Sequence, residues 1–178
     1  EPAASENTVQ PNMEISTGMT GTTTAWSTGY TGAGMRIAII DTGLDTSHQS
    51  FDNGAYEYAL EQNAARAKEA SLDLLDADEI NEKLSLLHIK EGVSAADLYR
   101  TEKVAYGYCY IDKDLDVTHE TDTEGEHGSH VAGIAAANRY LPDGNGGYVS
   151  ALDSVHMHGA APDAQVLVMK VFGDEGGA

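Results

Sequence analysis

Two residues carry the chemistry this sequence can offer. Asp41 ends the apolar run MRIAII at the turn Asp-Thr-Gly, and His127 opens the small-residue stretch HGSHVAGIAAAN. A carboxylate held against one imidazole nitrogen fixes the ring's tautomer and stabilises the imidazolium, which leaves the other nitrogen as a general base. That is two thirds of a serine-type triad. The third member sets the limit: eleven serines are present, yet none stands in a convincing nucleophile context. Ser129, two residues after His127, reads as a structural residue on another face of the same helix.

The elements that must position this pair follow from pattern. Met35 to Ile40 is a nearly continuous apolar run, which predicts a fully buried, central parallel strand with Asp41 at its carboxyl end. Open α/β sheets place their sites at that end. His127 is expected to start a helix whose Gly128, Ser129, Ala132, Gly133, Ala135, Ala136 and Ala137 allow close approach to the sheet, with Val131 and Ile134 as its apolar face and Asn138 as a C-cap. His130, three residues on, has no HExxH context and no Cys partner, so zinc is not expected. It reads as a packed residue behind the pair. Gln165 to Phe172 reads as a second buried strand and Val104 to Ile111 as a Tyr- and Val-rich one, so the fold class is α/β with a mostly parallel sheet.

Around this frame, residues 1 to 25 are rich in Ser, Thr, Gly and Pro and read as an extended arm over the domain, with a helical turn near Thr22 to Ser27 and Trp26 as its anchor. From Tyr56 to about Lys90 apolar residues recur at helical spacing, predicting two amphipathic helices joined near Ser71. His88 there is a surface or packing residue. Ser94 followed by Asp97 marks another short helix start. Pro142-Asp143-Gly144 and Asn145-Gly146-Gly147 signal a hairpin or surface excursion, and alternation around His156 and His158 suggests a strand edge rather than a ligand pair. The acidic run Asp112 to Glu126 reads as a solvated loop. Its carboxylates could ligate calcium but lack the EF-hand spacing.

Composition bounds the rest. With 178 residues, 41% apolar and 22% charged, the chain is globular and one domain is the default. Twenty-nine acidic against ten basic residues, a net charge of -19, argues against nucleic acid or an anionic membrane as partner. The single cysteine, Cys109, excludes an intrachain disulfide and reads as a buried, inert thiol, a nucleophilic role being the minor alternative. No stretch approaches the roughly 20 apolar residues of a membrane span. The chain starts at Glu1 with neither an initiator Met nor a signal-peptide core, so it reads as a processed or excised piece.

The segments DTGLDTSHQSFD, HGSHVAGIAAAN and GAAPDAQVLVMKVFGDEGG, in this order, resemble the subtilisin family of serine endopeptidases, and the resemblance covers the chain from Trp26 to its end. It implies a three-layer fold of which this chain holds the N-terminal part, Asp41 as triad acid, His127 as triad base, and protein or peptide substrates. The nucleophile serine and the oxyanion asparagine would then come from a C-terminal remainder of the catalytic domain, because no segment of either kind occurs here. Residues 26–178 would be the front part of the peptidase domain, with a helical insertion at about 56–100 and residues 1–25 as an arm. That insertion makes the chain similar to the large cell-envelope proteinases of Gram-positive bacteria, lactocepin among them, which implies a secreted or cell-surface location. Two departures stand out: HGSH replaces the usual HGTH, and Ser50 stands where compact subtilisins carry a calcium-ligating Asp, with Asp52 two residues on. No cofactor is implied with certainty, calcium being left open. A non-catalytic pseudoprotease fragment that binds rather than cleaves is the competing expectation.

Overall fold

The computed structural model describes residues 13–63, 72–119 and 125–175. Its centre is a three-stranded parallel sheet in the order β1 (Arg36–Asp41), β5 (Gln165–Lys170), β2 (Val104–Cys109). β1 runs in register with β5 from Arg36↔Gln165 to Asp41↔Lys170, and β2 closes the other side with Cys109↔Lys170. Asp41, Lys170 and Cys109 therefore stand in one row at the carboxyl end of the sheet. A short antiparallel hairpin, β3 (Tyr140–Pro142) with β4 (Tyr148–Ser150), is separate from it.

The sheet is covered on both faces. Ile39, Val104, Val166 and Val168 pack against Leu44, Phe51, Val117 and the small residues Ala132 and Ala136 of a helix at His127–Ala136. Tyr106 and Tyr108 turn to the opposite face and pack against Leu75, Ile80, Ala95 and Leu98. The result is an α/β arrangement of three layers, as patterning anticipated. One strand departs from expectation. β1 is an edge strand among the described residues, with only Ile39 fully buried and Ile40 63% exposed, while β2 is buried along its whole length. An apolar run reports that a strand wants covering. It does not say which neighbour provides the cover.

Helices in chain order are α1 (Met13–Met19), α2 (Thr22–Ser27), α3 (Asn53–Gln62), α4 (Ala77–Lys83), α5 (Ala95–Leu98), α6 (His127–Ala136) and α7 (Ala151–Ser154). The helical turn expected near Thr22 to Ser27 is α2, the arm expected to be otherwise extended is helical over α1 as well, and Trp26 anchors it by donating Nε1–H to Ala160 O at 2.9 Å. α3 starts where Asp52 Oδ1 accepts from Ala55 N at 2.7 Å. The expected join near Ser71 lies outside the described residues. The following helix begins only at Ala77, capped by Asp76, because Leu75 is claimed elsewhere. Gln165 Oε1 accepts from Leu75 N at 2.6 Å and Gln165 Nε2 donates to Leu75 O at 3.1 Å. A buried side chain 90 positions away thus overrides the local helical pattern.

α5 carries the full capping box of Ser94 and Asp97. Asn138, expected as a C-cap, is instead a buried tie: Ala137 takes the cap position of α6, and Asn138 Nδ2 donates to Asp52 O at 2.8 Å. The segment at His156 is not a strand edge, since it follows α7 and His156 itself has φ 59°, outside any strand conformation. A buried polar cluster locks the layers. Lys103 Nζ donates to Pro162 O at 2.9 Å and Ala164 O at 2.8 Å, while Asp163 accepts from Thr31 Oγ1, Asn63 Nδ2 and Arg139 Nε. Buried charges so satisfied hold one arrangement, because any slip would strand them without partners.

Candidate active site

Asp41 and His127 meet. The last residue of β1 presents its carboxylate to the first residue of α6, and His127 Nδ1 lies 2.8 Å from Asp41 Oδ1. With Nδ1–H donating to the carboxylate, Nε2 is the ring nitrogen left for chemistry. The two groups differ in exposure in the sense this requires. The Asp41 side chain is 16% exposed and that of His127 is 70% exposed, so the acid is shielded and the base faces outward. Burial pulls the Asp41 carboxyl upward, but hydrogen bonds from His127 and from Thr42 N outweigh it, and the net shift is below the usual carboxylate value. An ionised Asp41 is the state that can orient an imidazole.

The backbone explains why these elements can come so close. Asp41 O accepts from Val171 N at 3.0 Å, continuing the sheet past its last paired residue. The chain then turns through Gly43, whose φ of 122° only glycine adopts without strain, and Leu44 N is received by Val117 O at 2.7 Å. Thr42 is buried in this turn and its N–H donates to Asp41 Oδ1 at 2.7 Å.

Other candidates fall outside the pair. His130 is exposed on α6, 3.8 Å from Glu126, so it is not the packed residue that its place in the motif suggested. Ser129 is structural, its Oγ accepting from Asp45 N at 2.9 Å and sharing a 2.7 Å hydrogen bond with His119 Nε2. Cys109 is buried, and burial pushes its thiol pKa up, opposite to what a nucleophile needs. A cleft of about 560 Å³ flanks α6, with Phe51, Ile134 and Met157 as its apolar lining and His48, His119 and His130 among its polar residues. Thr42 was the member of the site that residue patterns did not single out; a hydroxyl next to a buried acid at a glycine turn was the signal available.

For calcium, Ser50 brings no carboxylate and one oxygen of Asp52 is engaged in capping α3. Among the described residues no group of three or more His, Cys, Asp or Glu side chains could hold a metal ion, and part of the acidic run, residues 120–124, lies outside them.

Comparison with known proteins fits this geometry. The chain is 32% identical over 145 residues to a PII-type proteinase of Lacticaseibacillus paracasei, covering 80% of this chain and 6% of that protein. It is 29% identical over 177 residues to the minor extracellular protease Vpr of Bacillus subtilis, covering 97% of this chain and 14% of that one. A C5a peptidase of Streptococcus pyogenes is 27% identical over 143 residues, covering 79% of this chain and 10% of that protein. The chain thus spans only a small part of the length of these relatives. The model of the subtilase family matches residues 32–178, a stretch that contains both Asp41 and His127, and the chain belongs to that family.

Proposed function

We propose that this chain supplies the acid and base of a subtilisin-like serine endopeptidase, with Asp41 and His127 in those roles. The observation that carries the reading is the 2.8 Å contact between Nδ1 of an outward-facing histidine and the carboxylate of a shielded aspartate. In this reading a serine hydroxyl from polypeptide outside these residues attacks the peptide carbonyl. His127 Nε2 takes the hydroxyl proton and later delivers it to the leaving amine, so the peptide bond breaks as the acyl-enzyme forms. Asp41 keeps Nδ1 protonated throughout and stabilises the imidazolium in between. An asparagine from the same outside segment completes the oxyanion hole.

Three features support a remainder that docks here. Among the described residues the edge of β1 has no neighbouring strand and Ile40 is exposed, the relatives are far longer than this chain, and no described serine shares a hydrogen bond with the His127 ring. Residues 26–178 are then the front part of the peptidase domain, 56–100 an insertion and 1–25 an arm. The names of the relatives, extracellular or proteinases of Gram-positive bacteria, support a secreted or cell-surface setting and protein substrates.

A serine-directed fluorophosphonate probe tests the reading on the complete protein. Labelling should fall on a serine outside residues 1–178 and be lost in His127→Ala. Labelling that survives this substitution, or that maps to one of the serines within 1–178, would contradict it, and absence of any labelling would favour a non-catalytic binding fragment.

A further inference from the structure

The turn after β1 and the first turn of α6 exchange hydroxyls. First-turn amides of a helix have no acceptor within it, and Glu126, at the N-cap of α6, offers no side-chain hydrogen bond. The amide of Gly128 instead donates to Thr42 Oγ1 at 2.9 Å, across from β1. That buried hydroxyl in turn donates to Gly125 O at 3.1 Å. One Thr42 oxygen therefore grips the chain on both sides of His127. In the opposite direction Ser129 Oγ, on α6, accepts from Asp45 N in the β1 turn at 2.9 Å. His119 Nε2, 2.7 Å away, shares the same oxygen and ties the preceding loop to it.

Asp41 and His127 stand 86 residues apart in sequence and belong to different elements, and their side chains share a single hydrogen bond. One such bond cannot fix an imidazole against translation of its helix. The hydroxyl of Thr42, adjacent to Asp41, holds the amide adjacent to His127, and the hydroxyl of Ser129 holds the turn four residues past Asp41. We propose that Thr42 and Ser129 are positioning residues for the carboxylate–imidazole pair, a reciprocal pair of clamps that sets where His127 Nε2 points; this rests on the reading of Asp41 and His127 as triad acid and base. Removing either hydroxyl frees α6 to shift along the β1 turn, and a displacement of about 1 Å can cost on the order of 100-fold in rate.

The test uses the complete, active proteinase with Thr42→Val, Thr42→Ser, Ser129→Ala, Ser129→Thr and the double variant Thr42→Val/Ser129→Ala. Thr42→Val and Ser129→Ala should each lower kcat by roughly 10- to 100-fold at nearly constant KM. Each should also shift or broaden the downfield proton resonance of His127 Nδ1–H, which reports its bond to Asp41. Thr42→Ser and Ser129→Thr keep the hydroxyl and should stay within a few-fold of wild type in both readouts. Because the two clamps hold the same pair of elements, the double variant should lose less than the product of the two single losses. Wild-type kcat and an unaltered resonance in both hydroxyl-free variants would overturn the inference, as would a Thr42→Ser loss equal to that of Thr42→Val. His127→Ala run alongside separates the two levels: if it remains active, the reading of the pair itself is wrong.

Discussion

A Cβ on Gly128 would overlap the carbonyl oxygen of Gly43 and stand 2.9 Å from Gly43 N and 3.2 Å from Asp41 Cβ. The start of α6 thus rests backbone against backbone on the β1 turn, next to Asp41, the proposed triad acid. Because all three neighbours belong to backbone or to a held side chain, none can swing aside. Gly128→Ala should push α6 outward, destabilise the fold by about 1–3 kcal/mol, and lower kcat well beyond what lost stability explains. Unfolding midpoints and kcat measured on the same preparation check this, and a variant with native stability and native kcat would contradict the close approach.

Lys103 predicts a pH dependence of stability. Burial pushes its pKa down to about 7, against an opposing pull from Asp163, while an unfolded lysine titrates near 10.4. Between these values the unfolded chain binds more protons than the folded one, so stability should rise as pH climbs from about 7 toward 10. The variant Lys103→Met should flatten that slope, at the cost of leaving the carbonyls of Pro162 and Ala164 without their donor. Denaturant unfolding from pH 6 to 10, in a His127→Ala background to prevent autolysis, measures it. An equal slope in both proteins would mean that Lys103 keeps its ordinary affinity for the proton.

The parts of this architecture legible in sequence are those set by local chemistry. The apolar run before Asp41, the small residues after His127, the Ser94–Asp97 box and the glycine turn between β3 and β4 each state their structure within a few residues. What sequence could not yield depends on distant partners. Leu72–Asp76 carries leucines at helical spacing, yet Gln165 takes the backbone of Leu75 and holds the segment out of a helix. Lys103 and Asp163 look like surface charges until Pro162, Arg139 and Asn63 surround them. The apolar run of β1 announces a strand covered on both faces, although among the described residues Ile37 and Ile39 are packed while Ala38 and Ile40 are exposed. In the site, the meeting of Asp41 with His127 could be anticipated from motif and element type. The bracing by Thr42 and Ser129 could not, because a hydroxyl's partner leaves no mark in composition or period.

Trp26 offers a reporter for the arm. It is the only tryptophan in the chain, and its ring lies 4.1 Å from that of the buried His158. Burial lowers the His158 pKa, with the Gly159 carbonyl and Asp163 opposing and Arg139 adding to the shift. The neutral ring is therefore the packed form, and its contribution is fully present above the unfolded pKa of about 6.5 and lost as pH falls below it. Trp26 emission should change as pH falls below about 6.5, and His158→Phe should abolish that change. A pH response that persists in His158→Phe would place the sensor elsewhere.

Charge predicts a substrate preference. A net charge of -19 should concentrate cationic peptides near the surface, an effect screened over about 8 Å at physiological ionic strength. Matched peptides carrying charges of about +2, 0 and -2 remote from the scissile bond should differ in kcat/KM at low salt and converge as salt rises. Equal kcat/KM at low salt would leave the acidity with a role in solubility alone.

The central claim is that Asp41 orients His127 as a general base, and Asp41→Asn in the complete proteinase addresses it most directly. An amide can accept from Nδ1–H only weakly and can hold the wrong tautomer, so kcat should fall by about 10⁴-fold, the cost seen for such a substitution in a triad of this geometry, with KM and the unfolding midpoint little changed. A kcat within a few-fold of wild type would show that the 2.8 Å contact between these residues has no part in catalysis.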